Sequence, residues 1–127
     1  MKKVIKTDKA PGALGPYSQA VKVKAGNLIF CSGQIPMDPK TGEIVGTTAA
    51  EQCRQVMENL KAVLKAAGVD FSQVVKATIY MADMADFAGI NEVYGKYFDS
   101  NPPARAAFAV KTLPKEVKVE IEMIAVE

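Results

Sequence analysis

The sequence predicts an α+β fold: a single mixed β-sheet with two helices packed on one of its faces. Three observations lead there. Two segments carry apolar residues at helical spacing, and the remaining apolar segments alternate with the period of a strand. The helices also fall between strands, so each serves as a crossover, with hairpin-like strand pairs at both ends of the chain. A length of 127 residues is that of one domain, expected over 1–127, and a hydrophobic content of 49% supplies its core.

Taken in order, Tyr17 to Val23 and Leu28 to Ser32 read as strands. They flank the turn-like Lys24-Ala25-Gly26-Asn27, which predicts a hairpin. Asp38-Pro39-Lys40-Thr41-Gly42 is a second turn signal. A helix then starts near Thr48, which with Glu51 makes a capping box. Its stripe runs through Ala49, Cys53, Val56, Met57, Leu60, Leu64 and Ala67, and Gly68 is its natural stop. Val74 to Met81 alternates as a strand, with Val75, Ala77, Ile79 and Met81 opposite Lys76, Thr78 and Tyr80. The second helix starts near Asp83 or Asp86 and carries Phe87, Ile90, Tyr94, Tyr97 and Phe98. It ends before Asn101-Pro102-Pro103. Arg105 to Val110 and Val117 to Val126 complete the strands.

With both helices on one face, the composition of the other face matters. Val117, Val119, Ile121 and Met123 point one way from the last strand. Lys118, Glu120 and Glu122 point the other way, followed by Ile124 and Val126. Phe108 and Val110 likewise share one face, opposite Arg105, Ala107 and Ala109. A helix-free face that is neither wholly polar nor wholly apolar is either a solvated sheet or a surface for oligomer formation.

Composition excludes several kinds of chemistry. The chain has no histidine, so no Ser-His-Asp or Cys-His pair and no His-rich zinc site is available. Cys31 and Cys53 stand far apart in no ligand spacing and read as reduced, buried small hydrophobes. Lys and Arg number 16 against 14 Asp and Glu, and a net charge of +2 is no electrostatic footprint for nucleic acid. The start, Met1-Lys2-Lys3-Val4-Ile5-Lys6, leads into no apolar run of signal-peptide or membrane-span length, which sets the expectation of a cytoplasmic protein. No phosphate loop or dinucleotide fingerprint is present. Gly12-Ala13-Leu14-Gly15 resembles a GxxG loop but lacks the helices and basic residues of a nucleic-acid module.

Whatever chemistry occurs must use carboxylates, hydroxyls, Arg, Lys, backbone groups and water. Arg105 stands out because it opens a strand behind the stiff Pro102-Pro103-Ala104, with the small Ala107 on the same face. A guanidinium in such a cleft can grip a carboxylate by two parallel hydrogen bonds; the competing role is an ion pair with Glu120 or Glu122. Glu120 can orient or deprotonate a water, or pair at the surface with Lys118 or Lys76. Tyr17, behind Gly15-Pro16, can place a phenol at a cleft mouth or pack at a sheet edge. Ser32-Gly33-Gln34 permits close backbone approach to a ligand, or is a bulge without one. Asn91 interrupts the apolar stripe of the second helix as a solvated, capping or site residue.

Together these residues resemble the RidA (YjgF) family of reactive intermediate deaminases, over essentially the whole chain. The resemblance rests on Ala10-Pro11, Gly15-Pro16-Tyr17-Ser18-Gln19-Ala20, Ser32-Gly33-Gln34-Ile35-Pro36, Asp38-Pro39 and Thr41-Gly42. It continues in Asn91-Glu92-Val93-Tyr94, Pro103-Ala104-Arg105 and Val119-Glu120-Ile121-Glu122-Met123. It implies a chorismate-mutase-like homotrimer, its sheets forming a central barrel and its sites lying between subunits. It also implies hydrolysis of enamines and imines such as 2-aminoacrylate, released by pyridoxal-phosphate-dependent dehydratases, to 2-keto acids and ammonia. The implied activity is that of a 2-iminobutanoate/2-iminopropanoate deaminase, with no cofactor and no metal. By position, Arg105 would bind the substrate carboxylate, and Glu120 and Tyr17 would hold the water or the imine nitrogen. Ser32 and Gly33 would line the cleft, and Asn91 would support it. Many deaminase members carry cysteine where this chain has Ala107, whose backbone carbonyl still accepts a hydrogen bond. Two other readings stand beside this one: a non-catalytic 2-keto-acid sensor using the same Arg105 pocket, and the ribonuclease or translation-inhibitor role described for some members. Neither a membrane nor a nucleic-acid partner is expected.

Overall fold

Four strands and two helices build the core in the computed structural model, which describes residues 2–24 and 26–127. Helix α1 (Ala49–Ala66) begins as its sequence dictates. The Thr48 hydroxyl accepts the Glu51 N–H at 3.1 Å and the Glu51 carboxylate accepts the Thr48 N–H at 3.1 Å. A cap of this kind contributes about 1 kcal/mol. Gly68, at φ +81, takes the left-handed conformation that ends the helix. The stripe Ala49, Cys53, Val56, Met57, Leu60 and Leu64 is buried, and burying each of the larger side chains contributes roughly 1.5–3 kcal/mol.

The main sheet has the strand order β3-β6-β4-β5 (Leu28–Gln34, Val119–Val126, Val74–Met81, Ala104–Ala109). Strand β6 runs antiparallel to both neighbours, and β5 runs parallel to β4. Between β4 and β5 the chain crosses over through α2 (Phe87–Gly95). Ala77, Ile79 and Met81 of β4 and Val119, Ile121 and Met123 of β6 form one core cluster with the α1 stripe and with Ile90 and Tyr94 of α2. Both helices therefore cover the same face, and the sheet is mixed, as the sequence predicts.

The structure departs from the sequence reading in three ways. Lys2–Ile5 forms an unanticipated strand, β1, and β2 (Ala20–Val23) pairs antiparallel with it as a separate ribbon rather than with β3. A side-chain clamp stabilises that choice: Gln19 Nε2 donates to the carbonyls of Thr7, Ala10 and Pro11, while its Oε1 accepts the Thr7 N–H. The expected Lys24–Asn27 hairpin turn includes Ala25, which lies outside the described residues. The last two strands also form no hairpin, because β6 inserts between β3 and β4. The apolar alternation of β6 fits that central place, since both of its edges are paired. Finally, α2 stops at Gly95, so Tyr97 and Phe98 pack against the core from beyond its end.

Side-chain alternation divides the sheet into two unlike faces. Register pairs Ala77 with both Arg105 and Met123, and Ile79 with both Ala107 and Ile121. Residues directly opposite share a face, so Arg105 and Ala107 lie on the helix side. Tyr80 pairs with both Phe108 and Glu120, which places those three on the open side. There Phe30 is 71% exposed, Leu28 52% and Phe108 45%, on the face that also carries Glu120 and Glu122. The Tyr80 hydroxyl donates to Glu122 at 2.5 Å, and this bond holds the phenol above its ordinary pKa.

Candidate active site

Arg105 is set by the chain before it. Ser18 N donates to the Pro103 carbonyl at 3.0 Å and Ser18 Oγ to the Pro102 carbonyl at 2.5 Å. Ser18 is buried, and these bonds staple the Gly15-Pro16-Tyr17 segment onto the lead-in of β5. Tyr17 consequently lies against Arg105, with the guanidinium carbon 5.3 Å from its ring centroid. From α2, Phe87 and Tyr94 approach the same carbon at 5.5 and 5.1 Å. Electron-rich ring faces attract a cation, so the three rings orient the guanidinium. Asn91, on the same face of α2, accepts from Arg105 Nη1 through Oδ1 at 2.6 Å.

This surrounding is unusual for a half-buried cation. Burial lowers the Arg105 pKa from its ordinary value, and the neighbouring groups that raise it are the hydroxyls of Tyr94 and Tyr17. No carboxylate is among them. The ion pair with Glu120 or Glu122 that the sequence left open does not form, because the sheet lies between them. A buried charge asks for a counter-charge, and an arginine with one N–H given to an amide keeps a planar fork of donors for it. A carboxylate is the anion whose geometry matches that fork.

The second group of candidate residues lies across the sheet. Between Cys31 and Gln34 the β3–β6 register slips, so Ser32 and Gly33 together face Glu122. Such a bulge re-aims the strand locally. Here it brings the Gly33 backbone against the Glu120 carboxylate: a Cβ on Gly33 would overlap Glu120 Oε2 and lie 2.9 Å from Glu120 Cδ. Of the two readings the sequence left open for Ser32-Gly33-Gln34, the bulge forms, and the group nearest Gly33 is the chain's own Glu120 carboxylate. Ser32 is exposed in the same bulge. Ala107 is half-buried beside Arg105 on the helix side.

Within one chain, the structure therefore gathers Arg105, Tyr17 and Asn91, with Ala107 next along the strand. It separately gathers Gly33 and Glu120, with Ser32 beside them. Sequence reasoning missed Phe87 and Tyr94 as ring supports and Ser18 as the staple. The first two carried a signal: residues 87, 91 and 94 are spaced as one helix face, and an asparagine in that stripe marks where it meets a polar partner. Ser18 gave none, since its partners are backbone carbonyls far along the chain. A wide cleft of about 910 Å³ borders Tyr17, lined by segments within 4–19 and 99–102. Tyr17 lines it, whereas Arg105, Glu120 and Asn91 do not. Among the described residues, no group of three or more His, Cys, Asp or Glu is placed to hold a metal ion, and no helix is long and apolar enough to cross a membrane.

Comparison with known proteins agrees along the whole chain. The family model described as Endoribonuclease L-PSP matches residues 7–127. Protein DfrA of Myxococcus xanthus is 58% identical over 98% of this chain and 95% of its own length. The human 2-iminobutanoate/2-iminopropanoate deaminase is 51% identical over 100% of this chain and 91% of its own length. Among solved structures, the Rid-family protein YyfB of Yersinia pestis superposes with a TM-score of 0.91 at 30% identity, covering 99% of this chain and 98% of that one.

Proposed function

The chain belongs to the Endoribonuclease L-PSP family, the RidA (YjgF) family, and from that premise we propose that it hydrolyses 2-imino acids and their enamine tautomers to 2-keto acids and ammonia. The observation that carries the proposal is Arg105: a half-buried guanidinium framed by three aromatic rings and an amide, with a donor fork suited to a carboxylate. The names of the human and bovine relatives, both 2-iminobutanoate/2-iminopropanoate deaminases at 51% and 52% identity, point to the same substrates.

The chemistry asks little of the protein. Water adds to the electrophilic imine carbon, one of its protons passes to a base, and the nitrogen is protonated. Collapse of the resulting carbinolamine breaks the C–N bond, expels ammonia and leaves the keto acid. Arg105 holds the carboxylate and so fixes the carbon's position. Glu120 takes the proton from water and Tyr17 hydrogen-bonds the nitrogen or the water, roles open to a chain without histidine. Ser32 and Gly33 line the cleft, Asn91 steadies Arg105, and Ala107 forms a wall beside it.

Arg105 and Glu120 lie on opposite faces of one sheet, so in this proposal a complete site joins two copies of the chain. The exposed Leu28, Phe30 and Phe108 on the open face support such an assembly. We take it to be a homotrimer whose sheets line a central barrel. The family's description as an endoribonuclease carries a second reading, in which RNA is the substrate. A net charge of +2 argues against it, and RNA binding that weakens steeply with salt would revive it. The deciding experiment couples a serine or threonine dehydratase to this protein and follows keto-acid formation. Acceleration by the wild type and not by a folded Arg105→Ala variant supports deamination. Keto-acid binding without acceleration would make the protein a sensor.

A further inference from the structure

Tyr94 is completely buried in α2, and its hydroxyl is the one buried side-chain polar atom among the described residues that lacks a hydrogen-bond partner. Leaving a buried hydroxyl unpaired costs stability, so such a group in a folded protein calls for an explanation. Packing does not supply it. The Tyr94 ring packs against that of Phe98 at 4.8 Å, tilted by 42°, and Phe87 lies on the same helix face, so phenylalanine would fill this space without the penalty. Cys53, the nearby thiol, directs its hydrogen to the Ile90 carbonyl instead.

The charged group facing this ring is Arg105. Of the three rings around the guanidinium carbon, that of Tyr94 is the nearest, at 5.1 Å. An arginine only donates hydrogen bonds, and a phenol oxygen accepts them. In this structure the guanidinium gives Nη1 to Asn91 at 2.6 Å. A ligand carboxylate that engages the fork bidentately takes two of its N–H groups, and turning the guanidinium plane to suit it re-aims the N–H groups that remain. We propose that Tyr94 is a positioning residue: its hydroxyl is kept unpaired so that it can accept an Arg105 N–H when a carboxylate is bound. This deepens the reading of Arg105 as a carboxylate anchor and rests on it.

The test is Tyr94→Phe, read by thermal unfolding, by calorimetric binding of pyruvate and 2-oxobutanoate, and by kcat and KM in the coupled dehydratase assay. The expected variant unfolds at a higher temperature than wild type, yet binds keto acids more weakly by about tenfold or more, as one lost hydrogen bond to a charged group requires. KM should rise in step while kcat changes little. Stability and affinity thus move in opposite directions, which a purely structural tyrosine would not produce. A more stable variant with wild-type affinity overturns the inference and leaves the anchor intact. A less stable or unfolded variant also overturns it, because the hydroxyl would then have a partner in solution. Wild-type protein that binds no keto acid would sink the anchor reading and this inference with it.

Discussion

Gly33→Ala separates the position of the Glu120 carboxylate from the stability of the fold. Gly33 is not among the glycines at positive φ, so its backbone suits alanine, and the change should stabilise the fold by about 0.4–1 kcal/mol through the unfolded chain. The new Cβ, however, would overlap Glu120 Oε2, with Cδ at 2.9 Å and Cγ at 3.1 Å. The obstructing atoms are the far end of a flexible side chain, so the strand stays and the carboxylate swings away. Restoring ordinary contact takes a displacement of roughly 1 Å or more, enough to cost on the order of 100-fold when a reacting group is misplaced. That factor corresponds to about 2.7 kcal/mol of transition-state stabilisation. Calorimetry should therefore find Tm unchanged or raised, with kcat for keto-acid release in the coupled assay down about 100-fold. A variant that melts as expected and turns over at the wild-type rate would refute the placement of Glu120 in the chemistry.

Two further predictions concern the scaffold. The backbone N–H groups of Thr47 and then Thr48 hold the Glu51 carboxyl down to about 2, from an ordinary 4.5. A depressed carboxylate stabilises the fold above its ordinary pKa, and that contribution disappears as pH falls toward the folded value. Melting temperature should thus decline between about pH 4.5 and 2, and Glu51→Gln should flatten this limb; parallel curves would contradict the capping role. Burial pushes the Cys53 thiol up to about 12, and Cys31 is raised by the same cause. Iodoacetamide at pH 8 should leave both unmodified in the folded protein and modify both in denaturant, as mass spectrometry will show; labelling of native Cys53 would count against its buried place between the helices.

What the sequence made legible, and what it did not, follows from the range of the interactions. The α1 cap, its buried stripe and the Gly68 stop are local, and the residues announce them directly. The turn at Asp38–Gly42 is equally local and forms, with Gly42 at φ +72. Strand partners are not local: β2 has the composition to pair with either β1 or β3, and the Gln19 clamp that favours β1 reaches up to twelve residues back. The central place of β6 likewise depends on β3 and β4, far away in sequence. At the site, Arg105, Tyr17 and Glu120 stand out by residue type and by resemblance. Their separation by the sheet needed the β4 register, since alternation within each strand says which residues share a face but not which faces of two strands coincide. The supports from Phe87, Tyr94 and Ser18 became visible only when α2 and the proline lead-in were set beside β5.

The central claim is that an imine-hydrolysing site is completed by Arg105 of one copy and Glu120 of another, and subunit mixing tests it most directly. Arg105→Ala and Glu120→Gln proteins are each purified, assayed alone, then unfolded together, refolded and assayed for keto-acid release. In a closed ring with shared sites, random mixing rebuilds intact sites at about one quarter of positions, so activity should return to about a quarter of the wild-type rate from two inactive parents. Two inactive parents whose refolded mixture forms mixed oligomers yet stays inactive would contradict a site shared between copies.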